Sequence, residues 1–240
     1  FNTNGIMATG WISLNGEWYY LTSNGDMVTG AQTINNKEYY FTSEGVMVRG
    51  WHKENDKWKY YSPKKMSVYG RTFVEGEKVT GWLPINDKWY YIAEDGYMVT
   101  GIYKVGNRKY LFMEDGSMKT GWFKVGDTWY YISSGGELRA QWVKSLSNWY
   151  YVDVDGKMVT SYQTINGAKY YFASSGLMQK DWFKINGEDY YAASSGTIQA
   201  QWVKSGRNWY YVDTDGKMVT GDYIIDGKVN HFDNQGLWMN

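Results

Sequence analysis

The sequence predicts an all-β chain, an elongated solenoid of β-hairpin repeats about 20 residues long. Three observations predict it: a strict period, a hairpin turn inside each period, and an excess of tryptophan and tyrosine over other aromatics. Glycine falls at Gly5, Gly25 and Gly45, then at Gly96, Gly116, Gly136, Gly156, Gly176, Gly196, Gly216 and Gly236. Two residues after each stands an apolar side chain: Met7, Met27, Met47, Met98, Met118, Leu138, Met158, Met178, Ile198, Met218 and Trp238. Tryptophan recurs in the same register at Trp11, Trp51, Trp82, Trp122, Trp142, Trp182 and Trp202, with Ala31, Ile102, Tyr162 and Asp222 in the equivalent places. A period of this kind held along a chain is the signature of a repeat architecture.

Each period contains a hairpin. In Gly10–Gly30, GWISL and EWYYL flank Asn15-Gly16. Asn-Gly between two apolar runs is a strong two-residue turn signal, because both turn positions require positive φ. The turn opposes Trp11 to Tyr20, Ser13 to Trp18 and Leu14 to Glu17. Strand alternation then places Trp11, Ser13, Trp18 and Tyr20 on one face and Ile12, Leu14, Tyr19 and Leu21 on the other. A lone hairpin is marginal in water, so the repeats must bury a shared seam by stacking. The Ile12, Tyr19 and Leu21 face is the expected seam. The Trp11, Trp18 and Tyr20 face is available for another use. The segment TSNGDMVTG is a glycine-bearing loop to the next hairpin.

Composition excludes several function classes. Lys plus Arg and Asp plus Glu are equal at 25 each, which removes the bulk electrostatic case for nucleic acid or an anionic membrane. The 14 Trp and 24 Tyr outnumber 8 Phe, and amphipathic rings suit half-exposed surfaces better than a dry core. Cys is absent, so there is no disulfide framework or thiolate metal site. No apolar run reaches the length of a membrane span. The DVDGK and DTDGK stretches at Asp153 and Asp213 start like a calcium loop but lack its distal Glu, and are read as turns. His52 and His231 stand apart in the register. No acid–base pair, nucleophile arrangement or phosphate-cradling loop appears, so neither catalytic residues nor a cofactor is expected.

The step from Trp51 to Trp82 is 31 residues. The stretch from Ser62 to about Gly81 contains Pro63 and has no WYY, and reads as a degenerate, shortened repeat. Residues 1–10 match the second half of a repeat, with Phe1 equivalent to Leu21, so the chain is expected to be a processed piece of something longer. The repeat module proper then covers 11–240.

The pattern GW-x6-WYY-x4-G-x-M-x-TG resembles the choline-binding repeat of Gram-positive surface proteins and lysins. The resemblance covers nearly the whole chain and is weakest from Ser62 to Thr80. It implies a left-handed superhelix of hairpins on a secreted, cell-surface protein. It also implies non-covalent binding to phosphorylcholine of teichoic or lipoteichoic acid. In such modules two Trp of one repeat and a Tyr of the next form a box, lined by the intervening Met-type residue. Carried onto this chain, the boxes are Trp11, Trp18 and Tyr40 with Met27; Trp122, Trp129 and Tyr151 with Leu138; and Trp142, Trp149 and Tyr171 with Met158. Three more are incomplete by the same rule. Trp51 and Trp58 precede the degenerate stretch, Trp82 and Trp89 meet Leu111, and Trp202 and Trp209 meet His231. Trp182 has Asp189 where a second Trp belongs. Hairpins starting at Ala31, Ile102, Tyr162 and Asp222 serve as closing walls or spacers.

Two other readings stay open. GAQTINNKEYYFTSEG and YQTINGAKYYFASSG look like glucan-binding repeats, and aromatic faces also stack on sugars. An adhesin whose repeats bind a host protein would use the departures from pattern between Trp51 and Thr120.

Overall fold

The computed structural model describes residues 5–239. The part of the truncated-repeat expectation that rests on residues 1–4 lies outside them. The described residues form strands, turns and loops without a helix, and the fold class is the all-β stack of hairpin repeats that the period predicts. The chain divides into two compact units at Thr120 and Gly121.

The first hairpin sets the pattern. Strands Gly10–Leu14 and Glu17–Leu21 pair antiparallel with Trp11 opposite Tyr20, Ser13 opposite Trp18 and Leu14 opposite Glu17, as the turn rule requires. Asn15 and Gly16 take φ of 54° and 83°, the positive pair of a type I′ turn. In the first unit, equivalent hairpins span Gly30–Ile34 with Lys37–Phe41, Gly50–Glu54 with Lys57–Tyr61, Gly81–Ile85 with Lys88–Ile92, and Gly101–Val105 with Arg108–Phe112. The second unit holds Gly121–Val125 with Thr128–Ile132, Gln141–Ser145 with Asn148–Val152, Ser161–Ile165 with Ala168–Phe172, Asp181–Ile185 with Glu188–Ala192, Gln201–Ser205 with Asn208–Val212, and Gly221–Ile225 with Lys228–Phe232.

Eight-residue loops such as Thr22–Thr29 link the hairpins. The Thr22 N–H donates to the Asp26 carbonyl at 2.8 Å, and Val28 donates to the Tyr20 carbonyl at 3.0 Å. The Thr22 hydroxyl oxygen accepts from the Asp26 N–H at 3.1 Å. Asp153 and Asp213 take the same part: Asp153 Oδ1 accepts from the N–H groups of Asp155 and Lys157, and Asp213 Oδ1 from those of Asp215 and Lys217. The two acidic stretches are therefore loop turns.

Neither unit has one central core. Each has separate small clusters formed where one hairpin packs on the next. The Leu21-type position is the anchor of the seam: Phe41, Ile92, Phe112, Ile132, Val152, Phe172 and Val212 are buried to within 1 % exposure. Each such burial contributes about 1.5–3 kcal/mol. The Tyr19-type face thus packs, as expected, but it does so against the tryptophan face of the hairpin before, which was expected to be left for another use.

The stretch after Ser62 takes a different form from the shortened repeat expected of it. It is an ordinary linking loop that carries an eleven-residue insertion, Pro63–Phe73. The loop bonds survive on either side of it: Ser62 N–H to the Glu77 carbonyl at 2.9 Å, and Val79 N–H to the Tyr60 carbonyl at 2.8 Å. The insertion folds as a miniature hairpin, Met66–Val68 with Arg71–Phe73, turning at Tyr69-Gly70. It is tied down by Phe73, which is 1 % exposed and packs in a cluster with Tyr60, Val79, Leu83 and Ile92. The phase of the repeat is therefore kept across a step of 31 residues.

Two stability predictions follow from this packing. Phe73→Ala removes the anchor of the insertion and is expected to cost about 3 kcal/mol in urea unfolding. Gly176 has φ of 78°, and a Cβ there would overlap the Met158 side chain; Gly167, at φ 81°, has open space around the same point. Gly167→Ala should cost about 1 kcal/mol from backbone strain alone. Gly176→Ala should cost about 2–3 kcal/mol, and the excess should vanish in a Met158→Ala background.

Candidate functional site

The Trp11-type indole is the centre of each junction that carries one. Trp11 stands perpendicular to Trp18, with centroids 6.3 Å apart and an interplanar angle of 87°. Its own hairpin adds Tyr20 at 5.2 Å. The next hairpin adds Tyr39, edge-on at 4.9 Å. The same three-part grouping recurs at Trp51 with Trp58 and Tyr90, Trp82 with Trp89 and Tyr110, Trp122 with Trp129 and Tyr150, and Trp142 with Trp149 and Tyr170. Perpendicular aromatic pairs contribute about 0.5–1.5 kcal/mol beyond the area they bury.

The third wall differs from the one expected. Tyr40, Tyr151 and Tyr171 do not close the preceding boxes; Tyr39, Tyr150 and Tyr170 do. The reason is strand parity. Tyr40 shares a face with its own hairpin's Trp position, and its ring lies against His52 at 4.3 Å. Tyr151 packs on Trp142 of its own hairpin, and Tyr171 stacks on Phe183. Only the middle residue of WYY points back at the previous hairpin. Thus the seam face of one hairpin closes the aromatic face of the hairpin before it.

The lining residue shifts too, by one repeat. Met27 is 47 % exposed and lies against Gly45 rather than in the first box. Met47 lines that box instead, and is 3 % exposed. Leu138 is buried against Gly156, and Met158 lines the Trp122 and Trp129 cavity rather than the one at Trp142. Met178 packs in the Trp142 cluster. One hydrogen bond explains the shift. The Met47 N–H donates to the Trp18 carbonyl at 2.8 Å, as Met98 does to Trp58, Met118 to Trp89, Met158 to Trp129 and Met178 to Trp149. This bond carries each Met-type side chain to the box of the hairpin before the one it follows.

Three open cavities show the result. One of about 340 Å³ is lined by Trp11, Trp18, Tyr39, Met47, Val74 and Glu75. One of about 330 Å³ is lined by Trp122, Trp129, Ser145, Tyr150, Met158 and Ser175. Val74, Glu75 and Ser175 come from the loop of a third successive repeat, next to the glycine on which the Met-type side chain rests. These two boxes are therefore assembled from three repeats, not two.

The boxes expected to be incomplete resolve in different ways. Trp51 gains Tyr90 from beyond the insertion, at 5.2 Å. Trp82 meets Tyr110 rather than Leu111. Trp202 meets Trp238, not His231: their centroids are 5.3 Å apart, and Trp202, Trp209 and Trp238 line a cavity of about 310 Å³. The Tyr39-type position of that last hairpin is Asn230, whose Oδ1 accepts from Trp238 Nε1 at 3.2 Å. Trp238 was legible in the register as the one aromatic in the Met series. His231 instead pairs with Asp222, 2.6 Å away. At Trp182 a ring from Tyr210 is present at 5.4 Å, but Asp189 bonds Lys184 at 2.7 Å where the second indole stands elsewhere.

Burial, and secondarily the charge of Glu77, pushes the Tyr39 phenol above its ordinary value. A raised phenol stabilises the fold below its unfolded value of about 10 and loses that contribution as pH rises through the higher folded value. Tyrosinate absorbance should therefore show Tyr39 titrating later than the exposed tyrosines, with the first junction weakening only in that alkaline range. Tyr39→Ala should cost about 3 kcal/mol in urea unfolding, as for other large-to-small changes in a packed site.

The profile of a family described as "Choline-binding repeat" matches residues 28–68, 79–111, 99–142 and 159–199. A second, described as "Putative cell wall binding repeat", matches residues 9–27, 141–158 and 201–218. Among solved structures, CbpJ of Streptococcus pneumoniae TIGR4 is similar at 25% identity and a TM-score of 0.62, over 97% of this chain and 100% of that one. Choline binding protein F of Streptococcus pneumoniae shares the fold at 23% identity and a TM-score of 0.60, over 98% of this chain and 100% of its own. The autolysin LytC of Streptococcus pneumoniae shares it at 20% identity and a TM-score of 0.62; 97% of this chain aligns, but only 53% of LytC. No curated protein sequence matches the chain.

Proposed function

The chain belongs to the choline-binding repeat family, and we propose that its aromatic boxes hold the choline of teichoic or lipoteichoic acid, so that the module retains its parent protein at the cell surface without catalysis. The observation that carries this reading is the perpendicular tryptophan pair with a third ring around an open apolar cavity. A quaternary ammonium has no N–H to donate, so hydrogen-bonding groups gain nothing from it. Ring faces attract it through their quadrupoles, by about 0.5–2 kcal/mol per contact. Two indole faces at right angles meet it from two sides, and the third ring closes the corner.

Each box alone is a weak site. Several boxes on one chain facing a polymer with many choline groups bind far more tightly, since every contact after the first is intramolecular. The repeat number and the repetitive ligand fit each other on that ground. The ring groups at Trp11, Trp51, Trp82, Trp122, Trp142 and Trp202 are the proposed sites, with Tyr39, Tyr90, Tyr110, Tyr150, Tyr170 and Trp238 as their third walls.

The protein should be retained on a DEAE or choline matrix and eluted by millimolar choline. Passage straight through, or retention on dextran with no response to choline, would sink the reading. Titration with crystallographic site counting should show Tyr39→Ala losing the first site and Tyr40→Ala keeping it. At the other end Trp238→Ala should lose the last site and His231→Ala keep it. Asp189→Trp should add a site at Trp182.

A further inference from the structure

The boxes share their rings but not their electrostatics. At the Trp11 box, the loop of the third repeat contributes Glu75 to the cavity lining. Ser175 occupies the equivalent place in the Trp122 box, and that lining carries no charged group. Glu75 is held by Arg49: Nη1 lies 3.1 Å from Glu75 Oε1, while Nη2 bonds Glu17. Two carboxylates thus surround one guanidinium, and the cluster keeps one negative charge in excess. Glu75 is 37 % exposed and Arg49 30 %, so the charge sits half out of water beside an apolar cavity.

A second difference points the same way. The residue facing the second tryptophan across the hairpin is Ser13 in the first box. It is lysine in four others: Lys53, Lys124, Lys144 and Lys204. Lys144 Nζ lies 5.7 Å from the Trp149 ring centroid, and Lys204 Nζ lies 5.5 Å from that of Trp209. Those ring faces already attract an internal cation, which a ligand cation must repel or displace. Trp18 has Ser13 in that place.

From these two differences we infer that the Trp11, Trp18 and Tyr39 box is a charge-assisted cation site, in which Glu75 meets the ammonium directly and Arg49 positions Glu75. The inference rests on the choline reading above and deepens it. Ring quadrupoles already favour a trimethylammonium over a neutral tert-butyl group of the same shape. A carboxylate on the lining widens that preference, because only the cation gains Coulomb energy, and it gains more where water is partly excluded. The gain of a half-exposed carboxylate is screened by salt, which makes this box the salt-sensitive one. Its chemical class of ligand is a small quaternary ammonium; the uncharged isostere gains nothing from Glu75.

The test is a titration of the intact chain with choline chloride and with 3,3-dimethyl-1-butanol. The readouts are the indole N–H resonances of Trp18 and Trp129, each assigned by a Trp→Phe variant. Choline at the Trp18 box should bind about fivefold more weakly in Glu75→Gln and in high salt, the size expected of a partly exposed ion pair. The Trp129 box should change little in either case, and the neutral alcohol should bind both proteins alike. The reciprocal variant Ser175→Glu should strengthen choline at the Trp129 box by a similar factor and make it salt-sensitive. Choline binding at Trp18 that is indifferent to Glu75→Gln and to salt would overturn the inference and leave the choline reading standing. No choline response at either indole in the unaltered chain would overturn both.

Discussion

The hydrogen bond from a Met-type N–H to the carbonyl of a Trp18-type residue in an earlier hairpin is the constraint on which the rest depends. It recurs with the same geometry where the side chains differ. Lys78 makes it to Glu38, Ile198 to Lys169 and Met218 to Asp189. Because it uses only backbone, it tolerates the loss of tryptophan at spacer hairpins. Because it spans two repeats, it fixes the register of each hairpin against its neighbour. A loop N–H buried at a junction must find an acceptor, and the strand edge of the previous hairpin offers one at the needed spacing.

The aromatic boxes are a consequence of that register. The tryptophan face of one hairpin has to be covered, and the Tyr39-type face of the next covers part of it. What stays uncovered is the corner between two perpendicular indoles. Trp58, Trp129, Trp149 and Trp209 are between 39 % and 43 % exposed for this reason. The same rings therefore hold the stack together and present the faces proposed for the ligand. On that reading packing and binding are not separate layers, so removing a third wall affects both.

Variation enters where the backbone constraint is indifferent to side chains. An eleven-residue hairpin hangs on one loop without disturbing the bonds on either side of it. The last described strand, Trp238–Met239, turns the Met position into a ring and closes a box whose tyrosine has become Asn230. Charge varies in the same way: Glu75 in one lining corresponds to Ser175 in another, and Ser13 to a series of lysines. A repeat array can thus hold its geometry constant while the linings of its boxes diverge in charge.

The period, the hairpin turns, the pairing of Trp11 with Tyr20 and one of the two packing faces were legible in the sequence. They are local properties, set by strand alternation and by turn residues that accept positive φ. The family resemblance also located the tryptophan walls. The partner of each wall was not legible, because a one-residue change in the WYY triplet reverses the face, and the choice between Tyr39 and Tyr40 depends on which face the neighbouring hairpin presents. The lining by Met47 rather than Met27, the approach of Glu75 from a third repeat, and the closure by Trp238 were likewise decided only by stacking. Sequence periodicity states that repeats are alike; how far one reaches past its neighbour is a property of the hydrogen bonds between them, and those exist only in the tertiary structure.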